Sequence, residues 1–109
     1  MTVECTEAAL RVVRQVEVAR PGAPLVFVFG EGCCEGRAPH LFAHHVVGAD
    51  EHEVGRAGRV PIVAGERMRA LYAGRRVVVD AEEDPLADGF SAEIELGWRF
   101  VMRSEPARA

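Results

Sequence analysis

Two short apolar runs, each fenced by chain-breaking residues, constrain this chain more than any other feature. Pro24 to Phe29 reads PLVFVF and Arg76 to Asp80 reads RVVVD. Each is rich in β-branched or aromatic residues and lacks a polar face, so each is expected as a strand buried on both sides. Two such strands need covering layers, and the surrounding sequence offers them. Thr6 is expected to cap a helix in which Ala9, Leu10, Val13 and Val16 recur at helical spacing up to about Ala19. Arg20-Pro21-Gly22 ends it, because proline cannot continue a helix and glycine suits the exit turn.

The remaining segments are weaker. His45 to Val47 and His52 to Val54 read as short strand pieces separated by Gly48-Ala49-Asp50. Arg59 to Val63 alternates like a strand, and Pro61 pushes it toward a sheet edge or a bulge. Ala64 to Tyr72 turns helical, with Met68, Leu71 and Tyr72 on one side and Gly74 as the stop. Glu82 to Pro85 is an acidic turn. Phe90 to Leu96 alternates apolar with polar residues, and Trp98 to Met102 follows across Gly97 as its hairpin partner. Residues 104–109 are expected to fray. The whole reads as one domain, residues 1–109, of the α+β class and dominated by β structure, with an N-terminal helix and a second short helix.

Composition narrows the functional classes. A chain of 109 residues suits one domain and can fold without disulfides or metal. Its 17 acidic and 13 basic side chains leave a net charge of -4, which argues against nucleic acid or an anionic membrane as the partner. No apolar run is long enough to cross a bilayer. The opening MTVECTEAAL lacks the basic start and long apolar stretch of a signal peptide, so a cytoplasmic location is expected. Every basic residue is Arg, which removes lysine chemistry altogether. The three cysteines, Cys5, Cys33 and Cys34, are an odd number and read as reduced thiols.

Cys33 and Cys34 sit in GEGCCEG, just after the first buried strand. Gly30, Gly32 and Gly36 give that loop freedom to adopt positive φ and turn its N–H groups inward, an arrangement that favours thiolate over thiol. The same residues also suit a tight turn in which both cysteines merely pack. Neighbouring side chains in extended backbone point to opposite faces, so a metal would be held by one of the pair with ligands from elsewhere. His40, six positions after Cys34, is the candidate co-ligand, and Cys34 with His40 would suit zinc or iron. His44, His45 and His52 read as surface or strand-face residues. Asp80, Glu82, Glu83 and Asp84 lack the calcium-loop pattern. No nucleophile elbow, phosphate loop or dinucleotide fingerprint is present, Ser91 and Ser104 have no local base, and no catalytic residue is assigned.

The order of these motifs resembles a small bacterial family known only as domain of unknown function 779. Its strand ending in Phe-x-Gln-Ser-Gly-Gly-Cys-Cys-Asp-Gly-Ser-x-Pro-Met-Cys is matched from Phe27 to Leu41, with Cys33, Cys34, Gly36 and Pro39 in register. Later family blocks are echoed in Val60-Pro61, Val79-Asp80, Gly89 to Glu93 and Arg99 to Ser104. The family's Gln-Ser ahead of the glycines is absent, and its third cysteine is replaced by Leu41; if that third thiol completes a site in relatives, this chain has either lost it or substituted His40. The resemblance implies an aldehyde dehydrogenase as partner. A more distant likeness is to the HesB-like domain of A-type iron–sulfur carriers. Those carriers need cysteines near the C-terminus, and this chain has none after Cys34.

Two functions are therefore expected. In the first, an accessory protein without independent catalysis uses the Cys33–Cys34 loop for metal binding or thiol chemistry and serves an aldehyde dehydrogenase. In the second, the loop is structural and the protein is an interaction module or homodimer, working through an edge strand at Arg59 to Val63 or the helix of Ala64 to Tyr72.

Overall fold

The first helix starts where its capping residue predicts. In the computed structural model, which describes residues 1–29, 40–86 and 91–106, α1 spans Glu7–Ala19. Thr6 Oγ1 accepts the Ala9 N–H at 3.2 Å and donates to Asp80 Oδ1 at 2.6 Å, so one hydroxyl both caps the helix and ties it to the sheet. Ala9, Val12, Val13 and Val16 are buried. Leu10, expected in that stripe, is only partly buried, because the face turned to the sheet is centred nearer Val12.

Seven strands form one mixed sheet: β1 Thr2–Cys5, β2 Leu25–Phe29, β3 His40–Ala43, β4 His52–Ala57, β5 Val60–Ala64, β6 Arg75–Glu83 and β7 Trp98–Pro106. Their order is β3-β2-β5-β4-β1-β6-β7. A second helix, α2, spans Glu66–Leu71, and a 3-10 helix spans Ala92–Leu96. The fold is α+β and mostly sheet, as composition and pattern led one to expect.

Several local expectations are corrected. β1 was not anticipated: it is four residues long, and of these only Val3 is buried, so it leaves no hydrophobic pattern to read. Yet it lies in the middle of the sheet, parallel to both β4 and β6. Gly55 allows that fit, since a Cβ there would stand 2.4 Å from the Val3 carbonyl oxygen. Pro61 does not mark an edge. β5 lies between β2 and β4, but β2 pairs only with Ile62, Val63 and Ala64, so the proline sits ahead of that ladder. His45 to Val47 is not a strand, whereas His52–Ala57 is. The stretch expected as a strand before Gly97 is the 3-10 helix, stopped by Gly97 at φ 81°. β7 pairs instead with β6, from Glu83 opposite Trp98 to Arg75 opposite Pro106. Residues 104–106, expected to fray, are the last part of that ladder. Leu71, expected on the buried side of α2, is 60% exposed, leaving Met68 as the buried residue of that helix.

The sheet curls. The rings of Phe27 on β2 and Phe100 on β7 meet edge to face with centroids 4.8 Å apart, although four strands separate them in the sheet order. Val3, Phe27, Phe29, Leu41, Ile62, Val77 and Val79 line the concave side with the apolar face of α1. Fully burying each such side chain contributes about 1.5–3 kcal/mol. Val26, Val28 and Val63 form a smaller cluster with Phe42. Around β6 and β7 ion pairs take over: Arg76 with Glu4 and Glu105, and Arg99 with Glu82 and Asp84.

Candidate functional site

Because the sheet curls, its two edge strands approach one another, and Ser91 and Glu93 fill the space between them. Ser91 Oγ accepts the N–H of Leu41 on β3 at 2.8 Å and donates its proton to Glu93 Oε1. Glu93 Oε2 accepts the N–H of Phe100 on β7 at 3.3 Å. Two side chains thus do what a backbone ladder would do in a closed barrel: they satisfy N–H groups that point outward from the last strands. Both residues are 3% exposed. Burial pushes the Glu93 carboxyl above its ordinary value, against the pull of Ser91, the backbone N–H groups and the nearby His40.

His40 is the first residue of β3 and stands opposite Val28 in the β2 ladder. Its ring stacks on Phe42 at 5.6 Å, and Phe42 stacks in turn on His45 at 6.4 Å. Among the expected ligands it alone lies in the described part of the structure; Gly30, Gly32, Cys33, Cys34 and Gly36 lie outside the described residues. What the structure adds is the setting at the exit of that segment: an imidazole, with a buried carboxyl close enough for the two to interact electrostatically.

The other histidines are engaged elsewhere or exposed. His45 Nε2 lies 3.0 Å from Glu51 Oε1, and the same oxygen accepts the Gly48 N–H at 2.6 Å. That backbone donor, together with His45, holds the Glu51 carboxyl below its usual range. His44 is exposed with φ 62°, and His52 is exposed at the start of β4. Cys5, at the end of β1, is half-buried, and burial pushes its thiol up to about 11, so it is an unreactive thiol at neutral pH. Among the described residues no group of three or more His, Cys, Asp or Glu side chains is arranged to hold a metal. A groove of about 470 Å³ beside α1, lined by residues such as Leu10, Val13, Val18 and Ala57, shares nothing with the seam.

Sequence reasoning missed the role of Glu93 and left Ser91 without a base. The structure puts the Glu93 carboxyl directly on the Ser91 hydroxyl, but in a link that is buried and spent on Leu41, which makes it a structural connection rather than a nucleophile. The sequence offered no direct signal, because Glu93 falls at a polar position of the Phe90 to Leu96 alternation, which as a strand would have pushed it to the surface. Leu41, standing where the resembled family has its third cysteine, is fully buried in the core.

A family model described as a domain of unknown function (DUF779) matches residues 12–105, from within α1 to near the end of β7. No curated protein matches the chain. No described helix is long and apolar enough to cross a membrane.

Proposed function

We propose a thiol-based accessory function for this chain, which belongs to the domain of unknown function 779 family. In this reading the segment joining β2 to β3 works through Cys33 and Cys34, either as reactive thiolates or as ligands for zinc or iron. Cys34 is the principal thiolate, Cys33 supports it and His40 is the co-ligand. The client is an aldehyde dehydrogenase and the compartment the cytoplasm, both as the sequence suggests. The likeness to the HesB-like domain belongs to this proposal as a shared order of helix, buried strand, cysteine loop and Val-Asp strand.

The observation that carries the reading is the position of His40. Antiparallel pairing of Val28 with His40 fixes the two ends of the cysteine segment beside each other. The imidazole at its exit has the buried Glu93 carboxyl for an electrostatic neighbour and is a side chain able to accept a proton or bind a metal. Cys5 contributes nothing, since its thiol stays protonated.

The test is metal analysis and alkylation kinetics on protein purified without oxygen and without a histidine tag. Two fast thiols and one slow one are expected in the native protein, with stoichiometric metal if the thiolates are ligands. Cys34→Ser should remove the metal or the faster reaction while leaving the fold intact. Unchanged metal content and alkylation rate in that variant would end the proposal.

The second reading, an interaction module, is favoured by a different observation. β5 is enclosed between neighbours and has no free edge, but the outer edge of β7 does.

A further inference from the structure

β7 is an edge strand whose two halves differ. Its ladder with β6 places the N–H groups of Phe100, Met102 and Ser104 on the outer side: Phe100 donates outward to Glu93, Asp84 N–H meets Gly97 O in the inner ladder, and alternation carries the pattern along the strand. Glu93 satisfies the first of these groups. Among the described residues the N–H groups of Met102 and Ser104 have no hydrogen-bond partner. A row of outward donors and carbonyls is a template for another strand.

The side chains say which strand fits. Val101, Arg103 and Glu105 share the outer face of β7, with Arg76 on the neighbouring strand holding Glu105. Arg103 is largely exposed; among the described residues it makes a long 3.9 Å contact with Glu105 and helps to hold the Asp80 carboxyl below its usual range. We propose that Met102–Pro106 pairs antiparallel with the same segment of a second copy, about a two-fold axis at Ser104, so that Arg103 faces the partner's Glu105 and Glu105 faces the partner's Arg103.

The charges select this register. Outward N–H groups can pair only with outward ones, so the axis can fall at Arg103, Ser104 or Glu105 but must keep Phe100 out of the ladder. An axis at Arg103 sets two arginines against each other, and an axis at Glu105 sets two glutamates against each other; like charges directly opposite are destabilising. At Ser104 both pairs are of opposite sign. Ser104 then exchanges both main-chain hydrogen bonds with its counterpart, and the Met102 N–H reaches the carbonyl of the partner's Pro106. Pro106 has no N–H to offer, so pairing ends there. The contact is short and far below the roughly 1,200–2,000 Å² of a standard interface, so the dimer is weak and dissociates on dilution. An isologous contact of this kind closes on itself and does not propagate. It requires no thiol chemistry and stands apart from the cysteine proposal.

Sedimentation velocity over a concentration series tests it, with Arg103→Glu and Glu105→Arg examined alone and in equal mixture. Wild type should self-associate as concentration rises. Either variant alone opposes like charges twice and should associate at least about tenfold more weakly. The mixture should recover the wild-type affinity, because one chain then offers two glutamates and the other two arginines. Ser104→Pro removes an outward N–H that β6 does not use, so it should abolish association with the β6–β7 ladder in place. A wild type that stays monomeric, variants that associate as well as wild type, or a mixture that stays monomeric would each overturn the proposal. The first result would leave the edge to a strand from an unlike protein.

Discussion

The two halves of β7 run in one strand, against one neighbour, in one ladder, and they meet opposite fates. Around Phe100 the outer edge is sealed: a buried carboxyl takes the outward N–H, a serine passes the link on to β3, and aromatic rings from strands far apart in the sheet pack beneath. Beyond Met102 the edge carries alternating charges and is left open by the described residues. Strand pairing with β6 does not distinguish the halves. The difference comes from residues 91–96, which lie over the first half only. A sheet need not close by backbone to lose an edge; a polar side chain in the right place suffices, and its cost is a buried titratable group.

The largest effect is expected at Glu93. Glu93→Ala leaves the Phe100 N–H and the Ser91 hydroxyl proton without acceptors in a buried site, and a loss of about 2–4 kcal/mol of folding stability is expected in urea unfolding. Ser91→Ala strands Leu41 N–H and one carboxyl oxygen, and should cost about 1–3 kcal/mol by the same measurement. If both variants unfold like wild type, the seam carries no weight.

Glu93→Gln isolates the pH dependence of the sealed half. The native carboxyl titrates above its ordinary value of 4.5, so the native state holds that proton more tightly than the unfolded chain does. The stability linked to this group is full below 4.5 and is lost as pH rises through the raised value. Glu51 and Asp80 are lowered and act in the opposite sense, contributing above their ordinary values of 4.5 and 3.8 and losing their contribution as pH falls. Thermal unfolding from pH 4 upward should therefore show a smaller decline for Glu93→Gln than for wild type, while the acid limb below about pH 4 is shared by both. Smallest in stability terms is the open half. Arg103→Glu lies on an exposed surface and should change the unfolding free energy by no more than about 0.5 kcal/mol, although it should weaken self-association.

Much of the sheet was legible because burial on both faces leaves a dense signal: LVFVF and VVV needed no partner to be recognised. Thr6 and Gly22 framed the helix for equally local reasons. β1 was illegible because only Val3 is buried, and a central strand held by one inward side chain and a facing glycine has no period to detect. Pro61 misled because the rule against proline inside a sheet applies to the ladder, and the β2 ladder begins one residue later. The run before Gly97 misled in the other way. Its alternation fits a strand, but a buried glutamate has no place on a strand face without partners, and those partners, Ser91 and Phe100, come together only in the folded chain. The site was legible in the same proportion. The sequence directs attention to His40, but nothing in it places a carboxyl beside that imidazole.

Amide hydrogen exchange followed residue by residue in dilute protein distinguishes the sealed half of β7 from the open one. The N–H groups of Leu41 and Phe100 should be protected and those of Met102 and Ser104 should exchange fast, with Glu93→Ala releasing Phe100, Ser91→Ala releasing Leu41, and both leaving Met102 and Ser104 unchanged. If Phe100 exchanges as fast as Met102 in the wild-type protein, the edge is not sealed and the account of the two halves is wrong.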